Sequence, residues 1–272
     1  MAVTIDVGKI RPPAVAGRFY PADPVALRAF IDDLLRQVAP AKLPAPKAII
    51  VPHAGYVFSG PIAASAYARF MPAREIIKRV VLLGPSHYLP FAGLAATSAG
   101  VFATPLGVVE VDVEAVRGIS SLRQIVVLDE AHEREHALEV QLPFLQTVLG
   151  DFKLIPLAAG EASADEVSEV IEALWGGAET RFVISSDLSH YLDYETGRRV
   201  DRATARAVEA LNPGRIGLDQ ACGRIPMCGL LKAARQHGLR ARTIDLRSSG
   251  DTAGPRDQVV GYGAFAFVER NT

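Results

Sequence analysis

The chain predicts an α/β fold, with residues 1–272 forming a single domain around a central, mostly parallel sheet flanked by helices. Three observations carry that reading. Short apolar runs rich in Val, Ile and Leu recur at 48–51 (AIIV), 80–83 (VVLL), 153–157 (KLIPL) and 182–185 (FVIS), each followed within a few residues by Pro, Gly or Ser. Such runs lack polar alternation, so they suit strands buried on both faces, which means a parallel sheet covered by helices. Helical stretches alternate with them, and no linker divides the chain. Hydrophobic residues at 49% against 22% charged supply a core and speak against disorder.

Taken in order, Asp23 before Pro24 opens a helix whose VALRAFIDDLLRQV carries apolar residues at helical spacing. The strand Ala48–Val51 follows, and Ser59-Gly60-Pro61 reads as the opening of a second helix, IAASAYARF. The strand Val80–Leu83 heads a stretch to Val109 without Asp, Glu, Lys or Arg. That stretch is long enough for a membrane span, but Pro85, Pro90 and Pro105 with Gly84, Gly93, Gly100 and Gly107 break any continuous helix, so a loop and short strands fit better. Glu135–Leu149 reads as a third helix, closed by Gly150 and kinked or divided at Pro143. A strand at Lys153–Leu157, a helix from Ser163 or Asp165 to near Gly176, and a strand at Phe182–Ser185 come next. Helices at Thr196–Leu211 and Pro226–His237 precede strands at Thr243–Leu246 and Val259–Val268. The last is long, alternating and glycine-containing, as an edge or antiparallel strand would be.

The formal charge of −1 gives no electrostatic footprint for nucleic acid. The N-terminal MAVTIDVGKIRPPAVAG has no apolar stretch suited to a secretory leader, so a cytoplasmic protein is expected. Two cysteines, Cys222 and Cys228, are too few for a disulfide framework. No G-x-G-x-x-G, Walker lysine or G-x-S-x-G elbow occurs, which removes the common nucleotide-binding and serine-hydrolase patterns.

Histidines and an aspartate follow the apolar runs. His53 stands in PHAGY, His87 in GPSHY, and Asp187 and His190 in SSDLSHY. Ligands of open parallel sheets bind beyond the carboxyl ends of the strands, so parallel neighbours would bring these residues to one rim. Neutral imidazole is a common ligand for zinc, copper and iron. Asp187 can orient an imidazole or share in proton transfer, and equally can cap a turn. Glu135, His136 and Glu139 lie at helical spacing and alone would read as a solvated helix face. HEREH at 132–136 matches H-E-x-x-H of zinc peptidases, but in the charged start of its helix and with only Glu161 on offer as a third ligand. Cys222 in QACGRIP approaches a helix N-terminus, where the backbone dipole favours thiolate; Cys228 reads as core.

Together AGRFYPAD, PHAGYVFSG, LLGPSHY, EHALEVQLPF, SSDLSHY, CGRIPMCGLL and VVGYGAFAF resemble the Memo family, in order and over nearly the whole chain. The resemblance implies the fold of the class III extradiol dioxygenases, which open catechol-type rings with non-haem Fe(II). It implies a functional link to a radical-SAM protein and an AMMECR-type protein, the other components of the bacterial and archaeal system. It implies His53 and His87 as metal ligands with Cys222 as the third, His136 and His190 at the positions of acid and base, and Asp187 orienting the site. The dioxygenases carry a glutamate where Cys222 stands, and a thiolate is softer and oxidisable, which puts ring cleavage in doubt. In the family the EHALEVQLPF segment starts at Glu135 and His136 and needs neither His132 nor Glu133.

The expectation is therefore a mononuclear metal site with iron or copper favoured and zinc as an alternative, serving redox or dioxygenase-like chemistry on a small substrate. Two other readings stay open. One is a non-enzymatic module that holds a small-molecule or peptide ligand in the same pocket, since a eukaryotic Memo member is a signalling adaptor. The other is a zinc peptidase using HEREH. Neither nucleic acid nor membrane is expected as a partner.

Overall fold

The buried runs assemble as neighbouring strands. The computed structural model describes residues 5–39 and 45–269; Met1 to Thr4, the start of the segment read above for a leader, and the last residues of the expected domain lie outside the described residues. In chain order the elements are β1 (Asp6–Arg11), α1 (Pro24–Arg36), β2 (Ala48–Val51), α2 (Tyr56–Tyr67), β3 (Arg79–Pro85), β4 (Leu94–Ala96), β5 (Ala99–Thr104), β6 (Gly107–Glu110), α3 (Val113–Ile119) and β7 (Ile125–Val127). There follow α4 (Glu130–Glu133), α5 (His136–Glu139), α6 (Leu142–Val148), β8 (Lys153–Ala159), α7 (Ala164–Ala173), β9 (Thr180–Ser185), β10 (His190–Leu192), α8 (Tyr194–Glu209), α9 (Arg224–Gln236), β11 (Arg240–Ser248) and β12 (Val259–Val268).

The large sheet runs β10-β12-β2-β9-β3-β8-β4-β7, with β11 on the other side of β12. Its centre, β2-β9-β3-β8, is parallel throughout, as the unalternating apolar runs require. The register is in phase: Val51 pairs with Ser185, Ile184 with Leu83, and Pro85 with Ala159. The carboxyl ends of four strands therefore finish at one rim, two residues short of His53, His87 and Asp187. Among the described residues no helix is long and apolar enough to cross a membrane.

Several local expectations change in three dimensions. Helix α2 starts at Tyr56, not at Pro61, and its first N–H, on Tyr56, donates to Phe19 O at 2.8 Å. That cap comes from a loop far back in sequence, and the donor lost at Pro61 faces an exposed Val57 turn. Strand β12 is antiparallel but is not an edge, because β11 flanks one side and β2 and β10 the other. The predicted helix from Glu135 to Leu149 is two pieces, α5 and α6, with Pro143 in the first turn of the second. The uncharged stretch after β3 forms β4, β5 and β6.

A second, three-stranded sheet, β1-β5-β6, sits beside the first. Arg11, at the end of β1, is 5% exposed and forms an ion pair with Glu139 of α5, which is fully buried. Arg11 also donates from Nε to His132 O at 3.0 Å and from Nη2 to Glu135 O at 2.6 Å. The Glu139 carboxylate accepts further from Ala14 N, Val15 N and Tyr20 Oη at 2.7, 3.0 and 2.5 Å. Glu139 is thus the centre of a buried network and not part of a solvated helix face. Near the other end of the rim, Asp201 on α8 is buried and accepts from Ser189 N at 3.0 Å, which holds the loop after β9.

Two stability predictions follow from these buried carboxylates. Glu139→Ala leaves the Arg11 guanidinium without its partner and is expected to cost about 3–5 kcal/mol in urea denaturation, whereas the exposed Ile10→Ala should stay within about 0.5 kcal/mol. Burial pushes the Asp201 carboxyl up to about 6, against the Ser189 hydrogen bond. A carboxyl raised on folding favours the fold in its protonated form, so this stability is complete below about pH 4 and is lost as pH rises through 6. The loss amounts to about 2–3 kcal/mol. Asp201→Asn keeps the acceptor for Ser189, and denaturation at pH 5 and pH 8 should show that pH dependence removed; an unchanged slope would assign it to another group.

Candidate functional site

The loop after β2 carries His53, the loop after β3 carries His87, and α5 opens with His136. The side-chain donor atoms of the three all lie within 4.8 Å of one another. The rings of His87 and His136 stack at 4.7 Å between centroids, and His53 meets both edge-on at 5.2 and 5.4 Å. The approach of α5 to the sheet depends on Gly84, where a Cβ would lie 3.0 Å from Leu138 Cδ2 and 3.3 Å from Ala137 Cβ. Cys222 comes from the loop before α9 and reaches His53, with Sγ 3.2 Å from Nε2. Gly223 makes that possible, since a Cβ there would sit 2.6 Å from Ser185 O.

The hydrogen bonds fix the tautomers. Ser185 Oγ donates its single proton to Ala137 O at 2.6 Å and accepts from Gln141 Nε2 at 2.8 Å. Its 2.8 Å contact with His53 Nδ1 is then one in which the imidazole donates. Glu135, almost fully buried, accepts from His87 N at 2.6 Å and from His87 Nδ1 at 2.9 Å. Burial raises the Glu135 carboxyl, but these bonds from His87 and the one from Ala137 N outweigh it and hold it near 2, so it is an ionised acceptor. Both imidazoles thus carry hydrogen on Nδ1, the arrangement in which metal-binding histidines are held by their neighbours, and His53 keeps its lone pair on Nε2, beside the Cys222 thiol.

The electrostatics agree with neutral rings. Burial, with His87 beside it, pushes His53 down to about 3, and burial with His53 pushes His136 down to about 4. Nδ1 of His136 is buried, lies 3.4 Å from Glu135 Oε1 and makes no hydrogen bond. Burial, reinforced by Asp187, pushes the Cys222 thiol up to about 12, so the helix approach does not produce the thiolate expected from the dipole. A cation bound by the thiol would displace that proton. The three convergent imidazoles fit a transition metal such as zinc, copper or iron, and Cys222 meets His53 but stands outside that convergent set.

Among the described residues no hydrogen bond joins the Asp187 carboxyl to an imidazole. Its Oδ1 accepts from His53 N at 2.7 Å, and burial raises its carboxyl. His190 is half-buried on β10, and no hydrogen bond joins its side chain to Asp187 among the described residues. Between His190 and Leu192 the pairing with β12 slips, and Tyr191 takes φ +59°, a left-handed conformation costly for a bulky residue. His132 belongs elsewhere: its Nε2 faces Ala95 O at 3.0 Å. Helix α4 ends at Glu133 and Glu135 is extended, so His132 and His136 do not share one helix face and HEREH is not a zinc-peptidase helix. Cys228 is buried in α9, as expected. Ser185 and Gln141 were not marked by the sequence; their only signal is that Ser185 ends β9 opposite Val51, two residues before His53.

The family model for Memo-like proteins matches residues 11–266. A MEMO1 family protein of Aeropyrum pernix is 39% identical, over 94% of this chain and 99% of its own length. Those of Archaeoglobus fulgidus and Aquifex aeolicus are 37% and 36% identical, over 95% and 96% of this chain and 99% and 100% of theirs. The match from residue 11 to residue 266, with relatives of 36% identity or more over nearly all of the chain, shows that the chain belongs to the Memo family.

Proposed function

We propose that this chain binds one metal ion, iron or copper with zinc as the alternative, through His53 Nε2, His87 Nε2 and Cys222 Sγ, and acts on a small substrate in redox or dioxygenase-like chemistry. The observation that supports it is the pair of imidazoles whose Nδ1 hydrogens are held by Ser185 and Glu135, convergent with His136, with Cys222 beside His53. When bound, such an ion supplies Lewis acidity and, for iron or copper, electron transfer.

The chain's own residues have separable roles. Ser185 and Glu135 keep the protons of His53 and His87 on Nδ1, away from the rim. Asp187 pins the backbone of His53. His136 is neutral near pH 7 and has an unpartnered Nδ1, so it can take up a proton, and His190 is the second candidate for proton transfer. Cys222 gives up its proton on ligation.

A binding module without turnover is the second reading, favoured by the aromatic rim. Tyr88 and Tyr191 are 49% and 71% exposed, and the Arg134 guanidinium covers the Tyr88 ring at 5.0 Å. Such a surface would hold a small-molecule or peptide ligand.

Metal content measured by mass spectrometry on protein purified anaerobically tests the proposal. Stoichiometric iron or copper, lost in His53→Ala and in Cys222→Ala, is expected. Metal kept in Cys222→Ala but lost in His136→Ala would move the third ligand to His136. Parent protein that stays empty after reconstitution with Fe(II), Cu(I) and Zn(II) would overturn the metal reading and leave the binding module. A further expectation concerns the supporting bonds: Ser185→Ala and Glu135→Gln should each weaken metal affinity by about 10–100-fold in a chelator competition.

A further inference from the structure

At the amino ends of the parallel strands, away from the histidine rim, lies a cavity of about 460 Å³ lined by Lys47, Trp175, Arg181, Arg240, Arg242 and Glu269 among others. Lys47 precedes β2 and Arg181 is in β9, while Arg240 and Arg242 stand on β11 beside the end of β12. From Lys47 to His53 the extended chain covers about 20 Å, so the two sites are at opposite ends of the sheet. Four cations stand against Glu269 in the lining and Glu179 close by, and among the described residues none of the four forms an ion pair.

The donors divide into used and free. Lys47 Nζ gives its three protons to backbone carbonyls, with Trp175 O at 2.6 Å, Gly177 O at 2.9 Å and Thr180 O at 3.1 Å. It supplies charge to the cavity but no spare donor. Arg181 is 8% exposed; its Nη1 donates to Ala178 O and Thr180 O, while its buried Nε has no partner. A buried guanidinium with an unused N–H and no ion pair, with Glu179 and Glu269 acting on it only from a distance, is costly unless an anion completes it. Burial and then the Arg181 charge lower the Lys47 ammonium to about 8, and Glu179 and Glu269 oppose that shift without cancelling it.

We propose that this cavity binds a small phosphate-bearing anion, held by Arg181 from within and by Arg240 and Arg242 at the mouth. A phosphate dianion offsets more of the excess charge than a single carboxylate does, and its oxygens suit the guanidinium fork. The free nucleic-acid backbone is a poor fit, since the protein as a whole carries a formal charge of −1.

Trp175 is the only tryptophan in the chain and lines the cavity, so fluorescence excited selectively in tryptophan, clear of the seven tyrosines, reports on this site. Its ring stacks on His237 at 3.6 Å and has Lys47 Nζ 5.0 Å away on the cavity side. The full-length protein is titrated with inorganic phosphate and, in a second arm, with glycerol phosphate, at constant ionic strength set by chloride. A saturable change is expected in at least one arm; a tighter monoester identifies an organic phosphate, and equal affinities identify the phosphate group alone. Arg181→Gln should weaken binding by about tenfold or more. Because Arg181 is buried, the exposed Arg242→Ala is the second variant, expected to weaken binding several-fold with Tm unchanged. No saturable response in either arm, or one that both variants leave intact, would overturn the proposal.

Discussion

The buried ion pair of Arg11 and Glu139 joins parts of the chain that share no sheet. Arg11 ends a strand of the small sheet, and Glu139 lies on the short helix that begins with His136. The same guanidinium holds the carbonyls of His132 and Glu135, so the break between α4 and α5 is stapled to β1. A helix of four residues has little stability of its own. Its position over the sheet, and with it the third histidine, depends on this charge network and on the close approach allowed at Gly84.

From that anchored helix the hydrogen bonds pass inward in one sense. Glu135 caps α5 by accepting from Ala137 N and, with the same carboxylate, holds both the backbone and the Nδ1 of His87. Ala137 O takes the proton of Ser185, which obliges Ser185 to accept from His53. One short helix and its cap therefore hold the Nδ1 hydrogens of two imidazoles on the loops after two different strands. The cost is visible in the unpartnered Nδ1 of His136 and in a thiol held neutral by burial, whose proton a cation would displace. The opposite end of the sheet shows the complementary imbalance, with positive charge gathered around an unused guanidinium N–H.

The strands of the sheet centre were legible because burial on both faces leaves a composition signal. Ala48–Val51 has the predicted bounds, and the other central strands extend by at most two residues at either end. Helix starts with their own capping side chains were equally legible, as at Asp23 and Ser163. The start of α2 was not, since its cap is the carbonyl of Phe19, and neither was the interior place of β12, since alternation does not say how many neighbours a strand has. In the rim the histidines, Asp187 and Cys222 stood out as residue types. Ser185 and Gln141 did not, because a serine and a glutamine at strand and helix ends have many ordinary uses.

The sequence by itself determined that this is an α/β protein with histidines following its buried strands, because hydrophobic runs and residue chemistry are local properties. Only the tertiary structure decided which of them meet. In-phase parallel pairing brought His53, His87 and Asp187 to one rim, while a break before His136 sent His132 to Ala95 although the two are one helical turn apart in sequence. Tautomers, thiol protonation and the cations gathered at the far end of the sheet depend on partners distant in sequence, and those exist only once the chain has folded.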